Sequence, residues 1–291
     1  MKFLTYNIQY GKGKDQKVNI ERIIAEIDGA DVIALQEVDR YWPRTDCADQ
    51  VNQITAAMPD YYWVYGPGVD LHADLHSIKN RGARRQFGNL ILSRTPILSS
   101  RHHLLPKYGS VDPLSIQRSA LEATILFGKK LLRFYSVHLT HLSPQTRLPQ
   151  IERLLDIHRD AILEGFPVSG NLEGFDWQDG VGDQTVPAEA IIMGDFNCQP
   201  DSEEYLRMVG PKSDYGGHIV NPCGFVDAWT HCGNDETSAE TSDIRGKPAR
   251  LDYCFVSTSL RHSILSCRVD DQAQGSDHQP VWVELDITGC D

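Results

Sequence analysis

Apolar and polar positions alternate from the start of the chain, with Phe3, Thr5 and Asn7 on one side and Leu4, Tyr6 and Ile8 on the other. A period of two is that of a β-strand, and Gly11 and Gly13 close the run. The period then lengthens. Ile20, Ile23, Ile24 and Ile27 recur at helical spacing, Gly29 stops the helix, and Val32-Ile33-Ala34-Leu35 follows as a second strand. The same patterns predict strands over 61–65, 89–93, 120–127, 131–139, 190–193, 253–256 and 281–285, and helices over 48–58, 150–163 and 202–208.

The strands over 120–127 and 131–139 meet directly across Gly128-Lys129-Lys130, whereas others are separated by helices. Direct neighbours mixed with helical crossovers imply mixed sheets and an α/β layered sandwich. Two polar stretches, 66–86 with Arg81, Arg84 and Arg85, and 165–189 with Phe175 and Trp177, are predicted as long loops, functional or disordered. Neither is a domain linker, because the strands on each side belong together, and one domain is expected over 1–291.

Composition narrows the function. Of 291 residues, 41% are hydrophobic and 23% charged, enough for a large core and against intrinsic disorder. Twenty-eight Lys and Arg against 40 Asp and Glu give a net charge of −12, which opposes unspecific attraction to nucleic acid or an anionic membrane. An anionic ligand must be captured locally. The first fifteen residues lack the pattern of a secretory signal, and no stretch is apolar enough for a membrane span. Seven cysteines (Cys47, Cys198, Cys223, Cys232, Cys254, Cys267 and Cys290) are scattered without CxxC spacing. They suit free thiols, and a cytoplasmic location is expected.

Candidate chemistry gathers at strand ends. Asn7 ends the first strand and Glu37 follows the second in Ala34-Leu35-Gln36-Glu37, a pairing of hard oxygen donors that suits Mg2+, although an acid ending a strand is also ordinary surface. After Ile191-Ile192-Met193, the run Gly194-Asp195-Phe196-Asn197 sets an acid and an amide two residues apart, or forms a turn. Asp252 opens another apolar run, and Ser276-Asp277-His278 precedes the last strand. A histidine with a partner carboxylate is equipped for proton transfer.

Taken in order, Thr5-Tyr6-Asn7, Leu35-Gln36-Glu37, Gly88 to Arg94, Val137-His138-Leu139, Gly194 to Asn197, Leu251-Asp252-Tyr253 and Ser276-Asp277-His278 resemble the endonuclease/exonuclease/phosphatase superfamily, whose members include DNase I-like nucleases. The resemblance runs from residue 5 to residue 278. It implies a four-layer sandwich of two packed mixed sheets flanked by helices, with the site where strand-end loops of both sheets converge. By the same resemblance, Glu37 binds Mg2+ or Mn2+, Asn7 assists directly or through water, and Asp277 lies close to the metal. His278, oriented by Asp252, is either the base or a cationic contact to phosphate, and Asp195 is the rival base. Asn197 holds the phosphate or nucleophile, and His138 contacts the phosphate or helps protonate the leaving oxygen.

Other candidates are less determined. Arg118 reaches a phosphate oxygen or is an exposed strand end, and His141, three residues after His138, contacts substrate or fills a loop. Arg84 and Arg85, with Arg81, form a patch that suits bidentate anion recognition, and equally read as neutralising Asp70 and Asp74. His72, His76, His102, His103 and His158 lack ligand-like spacing and are taken as surface residues. The expected function is a metal-dependent phosphoesterase acting by in-line attack of water on a small or medium-sized ester. The alternatives are a nuclease or abasic-site endonuclease, disfavoured by the acidic balance, and a catalytically silent binding module of the same fold.

Overall fold

The computed structural model describes residues 1–73, 82–178 and 185–287. In chain order its elements are β1 (Lys2–Asn7), α1 (Ile20–Ile27), β2 (Val32–Arg40), α2 (Gln50–Ala57), β3 (Tyr62–His72), β4 (Arg84–Ser93), β5 (Ile97–Leu104), β6 (Ser119–Phe127) and β7 (Lys130–His138). There follow α3 (Pro144–Glu164), β8 (Ala190–Asp195), α4 (Glu203–Val209), β9 (Phe225–Asp227), α5 (Ala228–His231), β10 (Ser242–Ile244), β11 (Lys247–Ala249), β12 (Asp252–Ser257), β13 (Ile264–Val269) and β14 (Val281–Leu285).

Two six-stranded mixed sheets pack face to face, one ordered β13-β14-β1-β2-β4-β3 and the other β5-β6-β7-β8-β12-β9. The alternation along β1 explains the layers: Phe3 joins Ala34, Ile91, Phe134, Ile191 and Met193 between the sheets, while Leu4 and Tyr6 turn to α1 and α2 with Ile23, Ile27 and Ile54. On the outer face of the second sheet, Ile151 and Leu154 of α3 and Tyr205 of α4 cover Tyr135, Val137, Ile192 and Phe255. This is the expected four-layer arrangement.

At one end the seam between the sheets turns polar. Gln36 Nε2 donates to Ser136 Oγ at 3.0 Å, and Asn89 Nδ2 donates to the Ser119 and Ser136 carbonyls at 2.9 and 3.0 Å. These bonds tie the sheets together directly beneath the strand ends that carry the candidate residues.

Several elements differ from the sequence reading. The described ends of 66–86 are paired strand, not loop: β3 pairs with β4 out to Leu71↔Arg85 and His72↔Arg84. Charged side chains masked this strand pair, whose Arg84 and Asp70 bond across it at 2.7 Å. Helix α3 begins at Pro144, six residues before the predicted start, because proline is tolerated at the first helical position and Thr146 Oγ1 accepts from the Ser143 N–H. The edge strand β5 was hidden by its polar run Ser99-Ser100-Arg101-His102-His103, and β13 by Ser266 and Arg268. Among the supposed surface histidines, His103 Nε2 lies 2.8 Å from Glu122, and His158 packs on Phe225 with its Nδ1 3.0 Å from buried Arg133. Arg81, Asp74, His76 and Cys290 lie outside the described residues. The other six cysteines are free thiols. No helix among the described residues is long and apolar enough to cross a membrane.

Candidate active site

Sheet register assembles the centre. Parallel pairing of β7 with β8 sets His138 beside Asp195, and antiparallel pairing of β8 with β12 sets Asp195 beside Asp252. Gly194 permits this approach, since a Cβ there would stand 1.9 Å from the Val137 carbonyl oxygen. In the facing sheet Asn7 is paired with Gln36. The next residue, Glu37, has φ +61° at an irregularity in the pairing of β2 with β4, and such bulges re-aim a side chain.

Asp195 Oδ2 is the meeting point. It accepts from Asn7 Nδ2 at 3.0 Å and Asn197 Nδ2 at 3.2 Å, and His138 Nε2 lies 3.2 Å away. A left-handed Asn197, φ +50°, folds its own N–H back to Asp195 Oδ1 at 2.9 Å. The loop bearing Asp277 and His278 is fastened from two sides. Ser276 Oγ donates to the Asn7 carbonyl at 2.7 Å, and Glu26 Oε1 of α1 accepts the Gln274 and Gly275 N–H groups at 2.7 and 2.9 Å.

Protonation follows from these contacts. Arg118 Nη1 lies 2.9 Å from His138 Nδ1, and a guanidinium only donates, so the ring proton of His138 is on Nε2 and points at Asp195. Burial and the Arg118 charge both push the His138 pKa down and keep the ring neutral. Burial resists the charge of Asp195, but His138 and His278 outweigh it and hold the carboxyl well below its usual range. His278 Nδ1 bonds Asp252 Oδ2 at 2.8 Å, with Nε2 3.8 Å from Asp195. Burial disfavours its charge, yet the Asp252 and Asp195 carboxylates prevail and push its pKa up to about 10. Burial also raises Asp252, but less, so at neutral pH the proton resides on His278.

Arg118 is 5% exposed, with Nη2 3.3 Å from His141 Nδ1 and a buried Nε that makes no hydrogen bond. No carboxylate pairs with it among the described residues. A buried cation in that state is suited to an anion. Arg84 instead pairs with Asp70 across β3 and β4, and neither it nor Arg85 has a hydrogen bond or ion pair to the Asp195 cluster. Sequence reasoning overlooked Gln9, whose Nε2 donates to Asp277 Oδ2 at 2.6 Å, and Glu26, and gave no role to Ser276 although it stands within the Ser276-Asp277-His278 motif. A cleft of about 760 Å3 between α3 and α4 lies at the opposite end of β8 and takes no part in this cluster.

For a divalent cation the donor set is selective. Glu37 Oε1 is 3.3 Å from Asn7 Nδ2, and Asp277 feels the Glu37 charge, which adds to burial in raising its pKa. Two mutually repelling carboxylates next to an amide fit a hard cation. Asp195, Asp252 and His278 also lie close together, with ligand atoms within 4.8 Å, but there the carboxylates already accept from Asn7, Asn197 and His278. Asn7 turns Nδ2 to the carboxylates and uses Oδ1 to accept the Gln9 N–H at 3.1 Å.

The model of the family described as "Endonuclease/Exonuclease/phosphatase family" matches residues 4–278. A solved structure of an endonuclease/exonuclease/phosphatase family protein from Leptotrichia buccalis is similar at 19% identity, covering 98% of this chain and 99% of that one, with a TM-score of 0.63. A mannosyl-6-phosphatase from Bacteroides thetaiotaomicron is similar at 17% identity, covering 98% and 99%, with a TM-score of 0.60. So is D. rerio TDP2 complexed with a single-strand DNA product, at 14% identity, covering 98% of each chain, with a TM-score of 0.60. Comparison with curated protein sequences finds no significant match.

Proposed function

Because the chain belongs to the endonuclease/exonuclease/phosphatase family, whose members hydrolyse phosphoesters, we propose that it is a metal-dependent phosphoesterase that cleaves a phosphomonoester or phosphodiester of a small or medium-sized substrate. The observation that carries this reading is the convergence on Asp195 Oδ2 of Asn7, Asn197 and His138, with protonated His278 3.8 Å away. Nothing in folding alone asks for so many buried polar groups in one place.

Phosphoryl transfer demands charge neutralisation and an aligned nucleophile more than covalent chemistry. Cationic His278, fixed by Asp252, contacts a phosphoryl oxygen; with a pKa of about 10 it is a poor base at neutral pH. Asp195, flanked by Asn197, orients the attacking water. Arg118 and His141 receive the phosphate, and the His138 Nε2–H turns from Asp195 to a phosphoryl or leaving oxygen when substrate is bound. Glu37, with Asp277, would hold Mg2+ or Mn2+, which when bound supplies Lewis-acid neutralisation of the developing charge, and Asn7 Nδ2 steadies Glu37 and Asp195 beside it.

A nuclease reading has less support. The net charge is −12, and Arg40, Arg44, Arg84, Arg101 and Arg250 each sit on a carboxylate, leaving little basic track for an extended backbone. Scattered free thiols support a cytoplasmic setting. The test is hydrolysis of 4-nitrophenyl phosphate and its bis-ester with Mg2+, Mn2+ or chelator, in wild type, Asp195→Asn and His278→Ala. Metal-dependent turnover that falls by about 100-fold or more in both variants is expected. Absence of turnover with either metal, or unchanged turnover in the variants, points to the silent module instead.

A further inference from the structure

At the rim beyond Glu37, one arginine stands among three aromatic rings. The Arg44 guanidinium carbon is 4.3 Å from the centroid of Tyr10, 4.9 Å from Trp42 and 5.3 Å from Phe87. Its Nε and Nη2 grip the two oxygens of fully buried Asp39 at 2.8 and 2.7 Å, so the pair carries no net charge. Nη1 has no hydrogen-bond partner among the described residues, and 40% of the side chain is exposed.

The rings continue from the phosphate-facing groups. Phe87 lies 6.5 Å from the His138 ring, and the Tyr10 hydroxyl feels the charges of Glu37 and Asp277. Their positions are fixed: the Tyr10 carbonyl accepts Gln50 Nε2 at 2.7 Å, and Trp42 Nε1 donates to the Gln86 carbonyl at 2.8 Å. Six of the eleven non-glycine residues with positive φ among the described residues are Gln9, Tyr10, Glu37, Tyr41, Asp46 and Cys47. Left-handed backbone of this kind costs energy and gathers at ligand clamps.

We propose that Tyr10, Trp42 and Arg44 form a subsite for the leaving group, and that this group is an uncharged hydroxylated ring, as in a sugar phosphate. The inference rests on the phosphoesterase reading above. Aromatic faces contact the C–H face of such a ring, and Nη1, which Asp39 leaves without a partner, donates to a hydroxyl oxygen. A second phosphate finds no free cation to pair with there, because Asp39 already neutralises Arg44.

The test compares kcat/KM with Mn2+ for glucose 6-phosphate, ethyl phosphate, fructose 1,6-bisphosphate and adenosine 5′-monophosphate in wild type, Trp42→Leu and Arg44→Met. Wild type is expected to favour glucose 6-phosphate over each of the others by about tenfold or more, and each variant to shrink its ratio to ethyl phosphate by about fivefold or more, chiefly through KM. Trp42→Leu removes a ring and no charge, so it decides the matter even where Arg44→Met, which leaves Asp39 buried alone, does not fold. Preference for the bisphosphate or the nucleotide, or an unchanged ratio in Trp42→Leu, overturns the subsite and leaves phosphoester hydrolysis standing. Wild type inactive on all four esters and on 4-nitrophenyl phosphate overturns both.

Discussion

His278 and Asp252 share a proton over 2.8 Å, ring Nδ1 to carboxylate Oδ2, where the two side chains are 10% and 0% exposed. The carboxylate keeps the ring charged against the cost of burial. Asp252→Asn removes that support, so the His278 pKa drops and its cation is lost as pH rises through the neutral range. Wild-type activity is expected to persist on the alkaline side until His278 titrates near pH 10. The variant should lose about 10²–10⁴ in kcat at pH 8 and show a limb falling at lower pH. A pH–rate profile tests this, and coincident alkaline limbs in the two proteins would contradict the assignment.

Among the described residues, Glu37 is the carboxylate with the fewest competing hydrogen bonds near the proposed cation position, taking only Asn7 Nδ2 at 3.3 Å. Glu37→Ala is expected to raise the Mn2+ concentration for half-maximal activity by about tenfold or more, whereas His278→Ala lowers turnover with little change in that concentration. Equal metal titrations in wild type and Glu37→Ala would refute the role of Glu37.

The carboxylate of Glu26 accepts from Tyr6 Oη at 2.9 Å and from the Gln274 and Gly275 N–H groups. Glu26→Ala frees these donors and should cost about 1–3 kcal/mol of stability in denaturant unfolding. Because the same bonds fix the loop carrying His278, kcat should also fall at temperatures where the variant remains folded. Full activity in a destabilised Glu26→Ala would show that the loop holds its course without this anchor.

Far from the centre, burial, and then the Arg133 charge, push the His158 pKa down to about 4 from an ordinary 6.5. Between those values the unfolded chain binds a proton that the folded chain does not. The resulting stability is complete above about pH 6.5 and declines as pH falls toward 4. The loss at pH 4 is at most about 3 kcal/mol. His158→Gln should flatten the acid side of the stability curve; parallel curves for the two proteins would rule out this histidine as the source.

The sequence conveyed what depends on period and order. Alternation in Phe3 to Ile8 and the apolar run ending at Asp195 placed β1 and β8, and their terminal polar residues do face one another: Asn7 Nδ2 reaches Asp195 Oδ2 at 3.0 Å. Contacts that join segments without periodicity were not legible. Gln9 bonds Asp277 across 268 residues and Glu26 bonds Gln274 across 248, and no local pattern announces such a pairing. Of the two readings open for Arg84, anion recognition and neutralisation of Asp70, the structure bears out the second, as a cross-strand pair. Arg44 was passed over because its significance lies in three rings drawn from three separate stretches of chain.

Asn7 belongs to one sheet and Asp195 to the other, and the bond between them closes over the Gln36–Ser136 tie. On the phosphoesterase reading proposed above, catalytic competence belongs to the two halves clasped together, and neither half has it alone. Inactivation by urea should accordingly coincide with global melting rather than precede it, so that turnover itself becomes a gauge of whether the molecule is intact.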